Sequence, residues 1–330
     1  MSNVRVGSGK FTYLVDETWP SFPATGPEGE AVGVACDSKD RVYVFLRSPQ
    51  PVRVFEPNGK LLAIWGEGAF VRPHGIFIGP DDTVYCADDF GHTVQAFTTE
   101  GKHRFTLGTG QPSDTGATSI DYRGIKHSGP PFNYPTNIAV GPNGDLFIAD
   151  GYGNARVHRF SPDGKLLHSW GEPGSGPGQF HVVHGIDVDK NGIVYVADRE
   201  NLRIQLFTDK GEYLTSWTDI ARPCQVFAAR AGFYYVSELG FRAGRWPGTG
   251  EPQPGQTGGR VSIFDRDGKL HARWGGGENP CAPGDFFAPH DICVDSTGAI
   301  YVTEVALSGG ARAGLVPGTC HTLQKFEKAK

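Results

Sequence analysis

Short apolar runs separated by polar turns recur along the chain in one shape. Six segments read as an alternating apolar run, a turn rich in Gly or Asp, and a second apolar run. They are VGVACDSKDRVYVFL from Val32, HGIFIGPDDTVYCAD from His74, TNIAVGPNGDLFIAD from Thr136, HGIDVDKNGIVYVAD from His184, CQVFAARAGFYYVSE from Cys224 and HDICVDSTGAIYVTE from His290. First and last residues are always fourteen positions apart, ending at Leu46, Asp88, Asp150, Asp198, Glu238 and Glu304 without a gap. Period-two alternation around turns such as PNGD and DSTG predicts β-hairpins. A third run usually follows (TVQAFTTEGK, RVHRFSPDGK, RIQLFTDKGE, RVSIFDRDGK), then a fourth (LLAIWGE, LLHSWGE, YLTSWTD, LHARWGG). Four strands in each of six units predict an all-β fold, a six-bladed β-propeller of four-stranded antiparallel blades, over residues 1–330 as one domain. The sixth unit ends after a third strand, TLQKFEKAK. The N-terminal run KFTYLVDETW has the pattern to add its fourth strand and remove the open edge.

The composition of 47 glycines, 24 prolines and 12% aromatic residues agrees with many short strands and tight turns. No apolar stretch is long enough for a membrane-spanning helix, so no membrane partner is expected. A net charge of −5 with scattered Lys and Arg makes no phosphate-tracking surface, so no nucleic-acid partner is expected either. The start, MSNVRVGSGKFTYLVDE, lacks the basic-then-apolar profile of a secretory signal. The six cysteines form no CxxC pair, and Cys36, Cys86 and Cys293 sit in apolar runs. Reduced core thiols and a cytoplasmic location are therefore the expectation. Long Gly/Pro-rich stretches at 109–132, 239–260 and 305–320 are expected to be functional covers.

In a propeller blade the first strand lines the central channel. The residue that starts it reads Val32, His74, Thr136, His184, Cys224 and His290 in turn. Histidine occupies every second blade, so with blades roughly 60° apart three imidazoles converge at roughly 120°. Three His ligands with one open position form a catalytic zinc arrangement. Imidazole also suits nickel, copper and iron, which leaves the metal open. Just past the second strand stand Arg47, Asp89, Gly151, Arg199, Leu239 and Val305, with Tyr152 one step further. Two arginines and a phenol facing a metal point to a small-molecule carboxylate substrate and to Tyr152 as a base. Pairing of the arginines with neighbours such as Asp198 and Glu200 is the competing reading.

The stretches ADGYGNARVHRFSPDGKLLHSWGEPGSGPGQFHVVHGIDV, VYVADRENLRIQLF, FVRPHGIFI and FAPHDICVDSTGAIYVTE resemble the catalytic domain of peptidyl-α-hydroxyglycine α-amidating lyase, within the NHL-repeat propellers. The likeness runs through blades two to four and six and largely fails in blade five. It implies zinc on His74, His184 and His290, with Tyr152 as base. Arg47 and Arg199 would hold the substrate carboxylate and stabilise the phenolate. It also implies a structural calcium on Asp291 and the main-chain oxygens of Val34 and Ile76. Gly153 stands where the family has a cysteine, so its disulfides are expected to be absent. No monooxygenase domain is expected beside the repeats, and loop arginines Arg242, Arg245 and Arg312 would add anion contacts, favouring a smaller substrate than a peptide. Three functions follow: a zinc lyase cleaving the C–N bond of a hydroxyglycine-like carboxylate, a zinc-hydroxide hydrolase of lactonase or amidase type, or a non-catalytic NHL scaffold. Tyr152 separates the first two, since zinc-hydroxide hydrolysis does not need its phenol.

Overall fold

The computed structural model describes residues 4–229, 231–243 and 257–329. Six antiparallel blades begin with the strands Glu30–Cys36, Pro73–Ile78, Pro135–Val140, Val183–Val188, Pro223–Ala228 and Pro289–Val294. These first strands touch one another in cyclic order, the last returning to the first. The ring is closed as expected: Phe11–Val15 pairs with the C-terminal strand Leu323–Lys328 to complete blade six. One addition was not foreseen. Arg5–Ser8 makes a fifth strand outside it, from a four-residue run too short and too polar to read as a strand.

Apolar side chains of facing blades interlock to form the core. Between blades three and four, Phe147, Trp170, Phe180, Val194 and Phe207 pack together. Each fully buried aromatic or branched side chain contributes on the order of 2 kcal/mol. The tryptophans closing fourth strands sit on turn glycines of the next blade. A Cβ at Gly211 would lie 2.7 Å from Trp170, and one at Gly268 2.3 Å from Trp217. Both glycines also have φ near +80° (81° and 77°), which side-chain-bearing residues rarely adopt.

The acid ending the second strand has a structural use. It is buried and accepts hydrogen bonds from the backbone of the loop entering its own blade. Asp88 accepts from Val71 and Arg72 (2.7 and 2.8 Å), Asp150 from Asn133 (3.0 Å), Asp198 from His181 (2.9 Å), Glu238 from Ala221 (2.6 Å) and Glu304 from Phe287 (2.8 Å). These bonds satisfy N–H groups that the ladder leaves unpaired and fix where the chain enters the channel.

The cysteine expectation needs one correction. Cys281 and Cys320 form a disulfide that ties the entrance of blade six to the end of its insertion. The two cysteines lie in irregular segments 39 residues apart, and only the folded loops bring them together. Cys36, Cys86, Cys224 and Cys293 are free. With a disulfide present, thiol chemistry no longer supports a cytoplasmic address, because such bonds persist chiefly in oxidising compartments. Among the described residues, no helix is long and apolar enough to cross a membrane.

Candidate metal centre

The six first strands share one irregularity. In every blade the antiparallel register slips at the channel position, between Ala31 and Gly33, Pro73 and Ile76, Pro135 and Asn137, Val183 and Gly185, Pro223 and Gln225, and Pro289 and Asp291. Val32, His74, Thr136, His184, Cys224 and His290 are thus bulge residues. A bulge re-aims the side chain it carries, here onto the channel axis.

His74, His184 and His290 meet there. Their ring centroids are 4.7–4.9 Å apart, and one nitrogen from each lies within 4.8 Å of the others. The odd-numbered blades set the tautomer. Nδ1 of His74 is 2.7 Å from the Thr136 carbonyl, that of His184 2.8 Å from Cys224 O, and that of His290 2.6 Å from Val32 O. Each Nδ1 therefore carries the hydrogen and donates it, which leaves the Nε2 lone pair toward the axis, as a metal ligand requires. Burial pushes His74 and His184 well below the usual histidine range, helped at His74 by the other imidazoles and at His184 by Arg199. His290 is pushed down to about 3 by burial and by Arg47. Three neutral, buried, convergent imidazoles can hold a metal ion.

Tyr152 enters from blade three, its hydroxyl 3.1 Å from His74 Nε2 and 3.0 Å from His184 Nε2. Arg199 Nη1 donates to the same hydroxyl at 3.4 Å. Arg199 also donates from Nε to Glu200 (2.8 Å), and Arg222 reaches the same carboxylate at 2.9 Å. Arg222 in turn donates to the Gly240 and Ala243 carbonyls at 3.1 Å each, joining the start of the blade-five loop to the site. Burial opposes the Arg199 charge, but Tyr152 and Glu200 outweigh it and hold the guanidinium above its ordinary value. Arg199 pairs with Glu200, the competing expectation at this position, and it also reaches Tyr152. Gly153 has a steric reason, since a Cβ there would sit 2.3 Å from Asn133 Oδ1.

Arg47 is half-buried, donating to Glu30 (2.9 Å), Ser308 (3.2 Å) and the Pro73 carbonyl (3.2 Å). It lines a cleft of about 410 Å³ together with Glu30, Arg72, Phe90, Leu307, Ser308 and Arg312. The blade-six insertion, folded as Ala306–Gly309 and Ala311–Ala313, supplies one wall. Arg312 therefore reaches the cleft. Arg242 instead donates to the Gly277 carbonyl and is not among the cleft's lining residues. Arg245 lies outside the described residues.

Below the histidines, Asp291 is buried and accepts from the Val34 N–H (3.1 Å) and the Ile292 N–H (2.8 Å). A Cβ on Gly33 would lie 3.3 Å from Asp291 Oδ2 and 3.2 Å from Ile76 N, so Asp291, Val34 and Ile76 share one place on the axis. Burial raises the Asp291 carboxyl to about 7.

Arg72, Glu30, Arg222 and Ser308 escaped the sequence reading. One signal was available. The position two before each channel residue reads Glu30, Arg72, Tyr134, Val182, Arg222 and Ala288, a second rim series with three charges in it.

An NHL repeat profile matches residues 132–160 and 180–207, blades three and four. Human NHL repeat-containing protein 3 is 30% identical over 314 residues, covering 90% of this chain and 82% of that protein. The chain belongs to the NHL-repeat β-propeller family. It is also similar to peptidyl-alpha-hydroxyglycine alpha-amidating lyase 1 of Drosophila melanogaster, 31% identical over 241 residues, which cover 62% of this chain and 42% of that one. Among solved structures, a gluconolactonase from Xanthomonas campestris superimposes with a TM-score of 0.61 at 13% identity, over 99% of this chain and all of that one, a likeness of fold.

Proposed function

We propose that the protein is a zinc lyase that cleaves the C–N bond of a small N-acyl-α-hydroxyglycine. The observation that carries this reading is the Tyr152 hydroxyl, within hydrogen-bond reach of two of the three axial histidine nitrogens and of Arg199. A zinc ion on His74, His184 and His290 would supply Lewis-acid polarisation of substrate oxygens. Arg47 and Arg199 bind the carboxylate and orient the carbinol carbon beside Tyr152. The Tyr152 phenolate, stabilised by Arg199, takes the carbinol proton. As the C=O bond forms, the C–N bond breaks, and the proton passes from Tyr152 to the departing amide nitrogen. The products are an amide and an α-oxo acid, and no water is consumed. A calcium ion on Asp291 and the main-chain oxygens of Val34 and Ile76 is proposed as a structural brace between blades six, one and two. The Asp291 carboxylate accepts from the Val34 and Ile292 N–H groups and from the Gln225 side chain, and an oxygen-only donor of this kind suits a hard cation.

The test uses protein loaded with zinc and freed of excess metal, incubated with N-acetyl-α-hydroxyglycine. Acetamide and glyoxylate at one zinc per chain are expected. Acetate in place of acetamide would replace the lyase with a zinc-hydroxide hydrolase. Failure to retain metal, with no turnover, would leave a binding scaffold.

A further inference from the structure

Arg72 lines the cleft, and the proposed reaction does not use it. Its backbone N–H is clamped by Asp88 at 2.8 Å, two residues before His74, and its guanidinium carbon lies 4.4 Å from the Phe90 ring centroid. Stacking of this kind holds a guanidinium flat and leaves its N–H edge for a ligand. Among the described residues that guanidinium makes no hydrogen bond. It pairs with the buried Asp89 carboxylate at 3.4 Å, a looser ion pair than those of the other two site arginines. Arg47 by contrast is matched by Glu30 at 2.9 Å, and Arg199 by Glu200 at 2.8 Å. Arg312, on the same cleft, has no ion pair among the described residues. Arg47, Arg72 and Arg312 thus line one cleft together with Phe90 and the blade-six insertion.

We infer that Arg72 selects the substrate by binding a second carboxylate at the end of the acyl arm, so that the preferred compound is a dianion. The cleft volume of about 410 Å³ is at the small end for ligand sites, which suits a short dicarboxylic compound over a peptide. The identity of the broken bond rests on the lyase reading, whereas selection of a second anion rests on the cleft alone.

Two isosteric pairs test it. N-succinyl-α-hydroxyglycine is compared with its neutral terminal amide for turnover. N-succinylglycine and its terminal amide, which lack the carbinol hydroxyl, are compared for binding by calorimetry. Charge-assisted hydrogen bonds predict a preference for the dianion of about tenfold or more in KM and in Kd. Arg72→Gln should bring the ratio near one, and Arg72→Lys should keep part of it. A ratio near one in the unmodified protein, or one unchanged in Arg72→Gln, would overturn the inference. If neither hydroxyglycine is cleaved but N-succinylglycine still binds tighter than its amide, and Arg72→Gln removes that difference, anion selection stands and the lyase reading fails.

Discussion

Tyr152 and His184 meet across two blades, hydroxyl to Nε2 at 3.0 Å with the two rings edge to face. In the proposed reaction Tyr152 acts as the base on a substrate bound beside the histidines and need not itself hold the metal. Tyr152→Phe should therefore reduce C–N cleavage by about 10²- to 10⁴-fold, the usual size of a lost proton transfer. The zinc content should stay at the unmodified level. Parallel loss of metal and activity in this variant would show that the phenol is a ligand and would remove it as the base.

Glu200 stands between Arg199 and Arg222, all three side chains nearly inaccessible to solvent. Glu200→Gln leaves two buried guanidinium groups facing a neutral amide. Breaking such a set should lower stability by about 3–5 kcal/mol in urea unfolding. Adding Arg222→Met removes one of the stranded charges and should recover part of that loss. A double variant less stable than the single one by the full Arg222→Met effect would show that the charges are not coupled.

The Cys281–Cys320 bond holds both ends of the segment that carries Ser308 and Arg312 to the cleft. Denatured, unreduced protein should take up four iodoacetamide groups, and six after reduction, read by intact mass. Replacing both cysteines with serine should lower stability by about 2–4 kcal/mol and raise KM. Zinc binding should survive, because all three histidines stand on paired first strands of the ring, and His290, although within the tied stretch, is held there by the pairing of Pro289–Val294 with Ile300–Glu304. A KM equal to that of the unmodified protein would mean the insertion keeps its place without the bond.

His321 Nε2 lies 2.9 Å from Glu304 Oε1, close enough for an ion pair though not aligned as a hydrogen bond. Burial favours the neutral ring, but the Glu304 carboxylate outweighs it and holds the imidazole above the usual histidine value. The folded protein therefore binds the proton more tightly than the unfolded chain does. The stabilisation is complete below about pH 6.5 and disappears as pH rises through the higher folded value. The stability difference between the unmodified protein and His321→Gln should be larger at pH 6 than at pH 9, read from urea unfolding at both pH values. A difference that grows with pH would contradict the pairing.

The repeat made the architecture legible before any coordinates. The alternating hairpins, the incomplete sixth unit and histidine in every second blade are local patterns of spacing, and spacing survives into the fold. The blade-six closure by the N-terminal strand could be read in the same way, because a missing strand and a spare one have the same periodicity. Spacing alone could place Arg72 on the rim but not its surroundings. The guanidinium is held by Phe90 and Asp89, and the cleft it lines is completed by a distant insertion.

Sequence by itself determined the number of blades, the strand alternation and which residue types face the axis, since these follow from backbone periodicity and chain order. Tertiary structure decided where those residues point and what they meet. The bulge that turns each imidazole inward, the carbonyl of the next blade that holds its proton on Nδ1, and the Glu200 carboxylate shared by two arginines are contacts between separate parts of the chain. Their energies depend on distances of about 3 Å, which no one-dimensional spacing contains.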